Sequence, residues 1–342
     1  MARSWGFWTR YKLELLQRYL DSFTTTTKNR SPAKRVYLDL FGGEPDNVDR
    51  DTREPIDNSA RIALKTDNPQ FSHFRLFERE PNATKLRRAL AEEFPGRDLI
   101  VYPGDCNDTI HQALADLRAV DAGWAPTFAF IDPNGPHYTW ETLQALAAHK
   151  GPSAKTKVEL WMLFPAPLFA RMLPGTREVR PSDNAAITAM FGVPGWHAIW
   201  IAELDAEIEV AEARDEYVNL MRWRLERELG YRWTHQLEIR NTGGVPLYHL
   251  IFATDSEAGH KIMTHLYDQA AAEFPAMAQQ ARSLRERRRR EAYGQYDLFS
   301  TLDPDDVPLA PSSSGAPRQR LYLHEPPDEP RTHDARSCPY CH

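Results

Sequence analysis

Arg35-Val36-Tyr37-Leu38-Asp39-Leu40-Phe41-Gly42-Gly43 runs an apolar strand straight into a pair of glycines. Val36, Leu38 and Leu40 suit one face of a strand, and Tyr37 and Phe41 suit the other. Both faces therefore expect cover, as in a parallel sheet packed by helices on each side. The glycines allow a tight turn and a close approach of backbone to a ligand that a Cβ would repel. Asp39 puts a carboxylate at the carboxyl end of the strand, where open α/β sheets bind ligands.

The same unit repeats along the chain. Phe74 to Glu78 reads as a second strand ending in an acid, followed by a helix over Asn82 to Phe94 that Gly96 stops. Leu99 to Tyr102 is a third strand, running into Pro103-Gly104-Asp105-Cys106-Asn107, and Ile110 to Leu117 is helical. Thr127 to Ile131 is a fourth strand, ending in Asp132-Pro133-Asn134-Gly135. A helix over Trp140 to Ala148 and a fifth strand over Val158 to Phe164 follow. Such alternation predicts a doubly wound α/β fold with right-handed crossovers. If the strands are parallel, Asp39, Glu78, Asp105 and Asp132 share one edge of the sheet.

Trp8 to Phe23 has the periodicity of an amphipathic helix, ended by the Thr24–Thr27 run and Ser31-Pro32. It is expected to cap the sheet or cover the site entrance. Glu44 to Ser59 is too polar for a core element and too long for a minimal turn, which predicts a functional or disordered loop. Pro165 to Trp200 reads as an irregular insertion with one short helix, Asn184 to Phe191. Asp215 to Leu229 is helical and capped by Gly230. Gln236 to Arg240 and Leu247 to Phe252, joined through Asn241 to Gly244, form a hairpin that closes the sheet. Ala258 to Phe274 is a further helix.

The organisation expected is a helical cap over 1–34 and a Rossmann-like domain over 35–277 with an insertion near 166–200. A basic helix over 278–292 and a disordered tail over 293–342 complete it. The basic helix carries six arginines, Arg282, Arg285, Arg287, Arg288, Arg289 and Arg290. They form either a collar for phosphates or a solvated helix end. The tail, rich in Pro, Asp, Ser and Glu, contains His333 and ends Cys338-Pro339-Tyr340-Cys341-His342. That is half a zinc pattern or a pair of redox-labile thiols, and no metal site is predicted from it.

A formal charge of −6 argues against coating nucleic acid by bulk charge while leaving room for a local basic patch. Three cysteines make no disulfide framework and fit a reducing compartment. No apolar run reaches the roughly 20 residues that span a membrane. The N-terminal stretch is broken by Arg10, Lys12, Glu14 and Arg18, so it has no signal-peptide core. A cytoplasmic protein is expected.

Glycines after the first strand and acids ending four strands suit a ligand with a ribose and an adenine. Glu78 would take the ribose hydroxyls, Asp105 would face the adenine amino group beside Cys106, and Phe41, Gly42 and Gly43 would carry the amino-acid end or a phosphate. Glu78 lies further from the glycines than the roughly 20 residues of a standard dinucleotide unit. The seven-stranded pattern with its closing hairpin favours S-adenosylmethionine over NAD, because it resembles the class I methyltransferases.

Several stretches narrow that resemblance: Tyr11 to Tyr19, Tyr37 to Gly43, Phe130-Ile131-Asp132-Pro133-Asn134-Gly135, Trp161 to Pro165, and Pro246 to Thr254. Over most of residues 8–275 the chain resembles the three-Cys-motif partner protein family. The resemblance implies a methyltransferase-like domain, a neighbouring partner similar to a radical S-adenosylmethionine enzyme, and a link to nucleic-acid processing or repair. It extends neither to the basic helix nor to the tail, and the cysteines of the family's name belong to the partner. Related chains continue the turn as Gly-Pro-Gly, whereas Glu44-Pro45 follows Gly43 here. The change either weakens cofactor binding or supplies a carboxylate for the cofactor's ammonium group.

The Asp132 turn resembles the Asp-Pro-Pro-Tyr turn of amino-methylating DNA enzymes, with Asn134 and Gly135 in place of the second proline and the aromatic. Asp132 and Asn134 would then hold the target amine. Tyr138 or Trp140 would supply a stacking ring, or both belong to the core. Two functions follow from different classes. One is a methyltransferase acting on nucleic acid, which needs alignment of the nucleophile more than dedicated acids and bases. The other is a non-catalytic partner subunit that keeps the fold as a scaffold and binds nucleic acid through the arginine run.

Overall fold

The computed structural model describes residues 3–5, 7–28, 34–49, 54–67, 69–152, 154–241 and 244–293. The chain begins with β1 (Arg3–Trp5) and α1 (Phe7–Thr27), then enters the central strand β2 (Val36–Asp39). Two short strands, β3 (Asn47–Asp49) and β4 (Pro55–Ile56), precede α2 (Ser59–Lys65). Four alternating elements follow, β5 (His73–Glu78), α3 (Asn82–Glu93), β6 (Asp98–Pro103) and α4 (Cys106–Ala119). Next come β7 (Thr127–Ile131), α5 (Trp140–Ala148) and β8 (Glu159–Phe164). Four helices are inserted after β8: α6 (Ala166–Met172), α7 (Pro181–Phe191), α8 (Trp196–Leu204) and α9 (Val210–Arg227). The hairpin β9 (Trp233–Arg240) and β10 (Pro246–Thr254) leads into the long α10 (Glu257–Tyr293).

Seven strands form one sheet in the order β6-β5-β2-β7-β8-β10-β9. β6, β5, β2, β7 and β8 pair in parallel, whereas β10 is antiparallel to both β8 and β9. Six strands thus point one way and β10 alone is reversed. The chain builds outward from β2 through β5 to β6, then returns to the other side of β2 with β7. That reversal makes a topological switch point, and the crevice beyond the carboxyl ends of β2 and β7 is where such sheets bind ligands.

The alternation read in β2 decides the packing. Val36, Leu38 and Leu40 enter a core with Ile110, Leu143, Met162 and the insertion helices. Tyr37 enters a second core with Phe74, Phe128, Trp161 and residues of α1, α2, α3 and α10. Across that second face, Tyr19 of α1 donates to the buried carboxylate of Glu159 at 2.5 Å, and Thr254 donates to the same group at 2.9 Å. Helix α1 is therefore locked to β8 and β10.

Several local expectations are corrected. The Thr24–Thr27 run stays helical, with the hydroxyls of Thr25 and Thr27 turned back to the carbonyls of Asp21 and Phe23 at 2.7 Å. The polar stretch 44–59 carries regular structure among its described residues: β3 pairs with β1 and β4, and Asn58 caps α2 by accepting from Arg61 N at 2.9 Å. The region 166–200 is mostly helical. Two of its prolines fall where helices begin, Pro167 in the first turn of α6 and Pro181 at the start of α7, where a missing N–H costs nothing. Phe169, Phe191 and Trp196 of this region are buried in the first core. The expected break after Phe274 is absent, since α10 passes through Pro275 and the basic segment continues it. Ala278 and Ala281, buried beyond the proline, hold the continuation down. Among the described residues no helix is long and apolar enough to cross a membrane.

Candidate functional site

A cavity of about 470 Å³ opens at the switch point, a size within the usual range for small-ligand sites. Phe41, Gly42, Gly43, Glu78, Asp105, Cys106, Asp132 and Asn134 all line it. Strands β2, β5, β6 and β7 deliver these residues from one edge of the sheet, which is why residues spread over nearly a hundred positions converge.

The glycine turn is tightly built. Gly42 N donates to Phe77 O at 2.9 Å, and a Cβ at Gly42 would meet Leu86 Cδ2 at 2.8 Å. Gly43 has φ of +71°, a conformation that disfavours any side chain. Its N–H donates to Glu78 Oε2 at 2.7 Å, and Arg79 N donates to Glu78 Oε1 at 3.0 Å. These contacts fix the Glu78 carboxylate while leaving each oxygen further lone pairs for a ligand hydroxyl.

Asp105 is the N-cap of α4. Its Oδ1 accepts from Asn107 N at 2.9 Å and from Asn107 Nδ2 at 2.8 Å, and its other oxygen is ion-paired with Arg79. Burial pushes this carboxyl up, but the Asn107 and Arg79 donors outweigh burial and hold it below the usual carboxylate range. An adenine amino group would thus compete with Arg79 for Asp105. The neighbouring Cys106 is a buried free thiol, pushed up to about 12 first by burial and then by the charge of Asp105.

Asp39 does not line the cavity. It is fully buried beneath it, accepting from Ser59 Oγ at 2.5 Å, Tyr37 OH at 3.2 Å and Phe41 N at 3.3 Å. Burial raises it to about 7, against the lowering effect of those donors. Its place is to brace the turn.

Asp132 lines the far end of the cavity and is ion-paired with Lys12 of α1. The Lys12 side chain is 5% exposed and that of Asp132 18%, so the pair is largely removed from water. The Lys12 ammonium also lies 5.7 Å from the centre of the Tyr248 ring. The turn after Asp132 is stitched to α4 by Asn107, which donates to His137 O at 2.8 Å and accepts from Thr139 N at 3.0 Å. Tyr138 is fully buried in the first core and does not line the cavity, and Trp140 lies beneath the guanidinium of Arg224 at 4.0 Å. Tyr248 of β10 is the aromatic that lines this end instead.

Lys12, Asn58, Leu168 and Tyr248 are cavity residues that the sequence reading passed over. Lys12 left a trace, since it falls in line with Leu16 and Leu20 on the apolar stripe of α1. Of the arginine run, Arg282 is exposed on α10, and the side chains of Arg285 and Arg287 to Arg290 lie outside the described residues. So do His333, Cys338 and Cys341. Among the described residues no group of three or more His, Cys, Asp or Glu is placed to hold a metal ion.

The strand order, with its single reversed strand next to the last, is that of the class I methyltransferase fold. Solved structures similar to the chain include a Legionella pneumophila protein of the DUF519 family, at 11% identity over 77% of this chain and 93% of that one, TM-score 0.44. M. jannaschii TYW2 in complex with AdoMet is similar at 11% identity over 73% and 76% of the two chains, TM-score 0.31. An O-methyltransferase family protein from Burkholderia thailandensis is similar at 12% identity over 72% and 55%, TM-score 0.31. No family model matches the sequence, and no curated protein matches it.

Proposed function

We propose that the cavity binds S-adenosylmethionine and that the protein is a methyltransferase-like enzyme acting on an amine of a nucleic acid. The observation that carries the cofactor reading is the Glu78 carboxylate, fixed by Gly43 and Arg79 N–H groups at the switch-point cavity with acceptor capacity to spare. The walls of Leu40, Phe41 and Phe77 fit a nucleoside lying close to the backbone. Bound there, the cofactor supplies an electrophilic methyl group on a sulfonium.

The chain's own residues then have distinct tasks. Glu78 holds hydroxyls. Lys12 holds Asp132 in place through Oδ2, and Asp132 Oδ1 is left to accept an N–H of the acceptor. Leu163, Pro165 and Leu168 exclude water from that end. The arginine run on α10 extends the proposal to a nucleic acid, through phosphate contacts. The resemblance to three-Cys-motif partner proteins extends it to a partner similar to a radical S-adenosylmethionine enzyme and to processing or repair.

A second reading has its own support. Glu44-Pro45 after Gly43 and Asn134-Gly135 after Pro133 depart from the turns of the methylating enzymes the chain resembles, and on this reading the fold serves as a non-catalytic, nucleic-acid-binding partner subunit. Titration calorimetry with S-adenosylmethionine and S-adenosylhomocysteine separates the two. Saturable binding, lost in Glu78→Ala, supports the enzyme reading and leads to a screen of DNA and RNA as methyl acceptors. No binding at millimolar ligand favours the scaffold, for which neutralising the arginine run should abolish nucleic-acid binding.

A further inference from the structure

Five carboxylates line the cavity: Glu44, Asp57, Glu78, Asp105 and Asp132. Four are engaged. Asp132 is paired with Lys12 and Asp105 with Arg79. Asp57 accepts from Lys65 Nζ at 2.6 Å, and Glu78 takes the Gly43 and Arg79 N–H groups. Among the described residues no hydrogen bond or ion pair engages the carboxylate of Glu44. Its backbone is nevertheless held, because its carbonyl accepts from Asn47 Nδ2 at 3.0 Å and from Asn58 Nδ2 at 3.4 Å. The residue is half-buried at the lip of the glycine turn. A partly desolvated carboxylate on a fixed backbone, with no cation paired to it among the described residues, has the capacity to take one.

We propose that Glu44 binds the α-amino group of the cofactor's methionyl end, taking the part that the buried Asp39 cannot play. The proposal rests on the cofactor reading above. Asp39 ends the central strand, where an acid would be expected to serve the ligand, but its oxygens are spent on Tyr37, Ser59 and Phe41 N and it does not line the cavity. Glu44 stands immediately after Gly43, whose N–H holds the proposed ribose-binding Glu78. One short turn thus fixes the acid for the ribose and presents the acid for the ammonium. Glu44 is then a specificity residue: it favours a ligand that carries an amino-acid tail over the same nucleoside without one.

The test compares S-adenosylhomocysteine with 5′-methylthioadenosine, which keeps the adenosine and sulfur and lacks the amino-acid tail. Both are titrated calorimetrically into the full chain, as wild type, Glu44→Gln and Asp39→Asn. The expected result is that Glu44→Gln weakens S-adenosylhomocysteine about tenfold or more and leaves methylthioadenosine unchanged, since a hydrogen bond to a charged group is lost. Unchanged methylthioadenosine binding also shows that the variant is folded. Asp39→Asn should leave the ratio of the two affinities as in wild type. A wild-type ratio in Glu44→Gln, or a ratio lost in Asp39→Asn instead, overturns the proposal while the cofactor reading stands. Wild-type protein that binds neither compound overturns both.

Discussion

Lys12 of the first helix is ion-paired with Asp132, which follows the strand β7 and lies 120 residues further along the chain. The contact joins the N-terminal helix to the wall of the cavity and places a cation beside one of the carboxylates that line it. Because the pair is mostly withdrawn from water, removing one partner strands the other.

Lys12→Met should therefore destabilise the protein by about 3 kcal/mol, the order found when one member of a buried pair is deleted. Lys12→Met combined with Asp132→Asn should cost clearly less than the sum of the single changes. Urea denaturation of the four proteins forms the double-mutant cycle. Additive effects would mean that the pair does not couple.

Gly42 packs against α3. Gly42→Ala places a methyl 2.8 Å from Leu86 Cδ2, so overpacking should cost about 1–3 kcal/mol. The loss should shrink in a Leu86→Val background, where that branch is shorter. Thermal denaturation gives the comparison, and an equal loss in both backgrounds would show that Leu86 is not the obstacle.

Asp39 makes stability fall as pH rises. Its folded value of about 7 stands above its ordinary 3.8, so the folded state holds the proton more tightly. The associated stability is fully present below the ordinary value and is lost as pH rises through about 7. Relative to wild type, Asp39→Asn should gain stability between pH 4 and 8, by about 4 kcal/mol at most. Chemical denaturation of both proteins at these pH values reads the difference, and a gap that does not change with pH would contradict it.

Buried histidines act in the opposite direction. His249 is lowered from its ordinary 6.5 to about 3, chiefly by burial and then by Arg214 and Arg240. His235 is lowered to about 3 by burial, His260 and Arg222. Stability linked to such groups is present above 6.5 and is lost as pH falls. Between pH 7 and 5, His249→Gln should lose less stability than wild type, by about 2 kcal/mol. Equal losses would mean that His249 takes up no proton on unfolding in that range.

Much of the architecture could be read along the chain. The alternation of Val36, Leu38 and Leu40 with Tyr37 divides the two cores as the side chains demand. Glycine turns and hairpin signals act between neighbours in sequence, so the parallel strands and the closing hairpin were legible. The helical insertion was not, because prolines 167 and 181 read as breakers until their positions in first turns are known. The join through Pro275 was hidden for a similar reason: burial of Ala278 and Ala281 outweighs a local preference.

The candidate site divides along the same line. Strand-end acids and a glycine turn follow from local pattern, and Glu78, Asp105, Asp132, Gly42 and Gly43 do meet in one cavity. Which of those acids faces a ligand depends on contacts between distant segments. Ser59 and Tyr37 withdraw Asp39 below the floor, Arg79 occupies Asp105, and Lys12 occupies Asp132. A carboxylate's role is set by what neutralises it and how far it is from water. Residue order states the carboxylate, and packing alone supplies its partner.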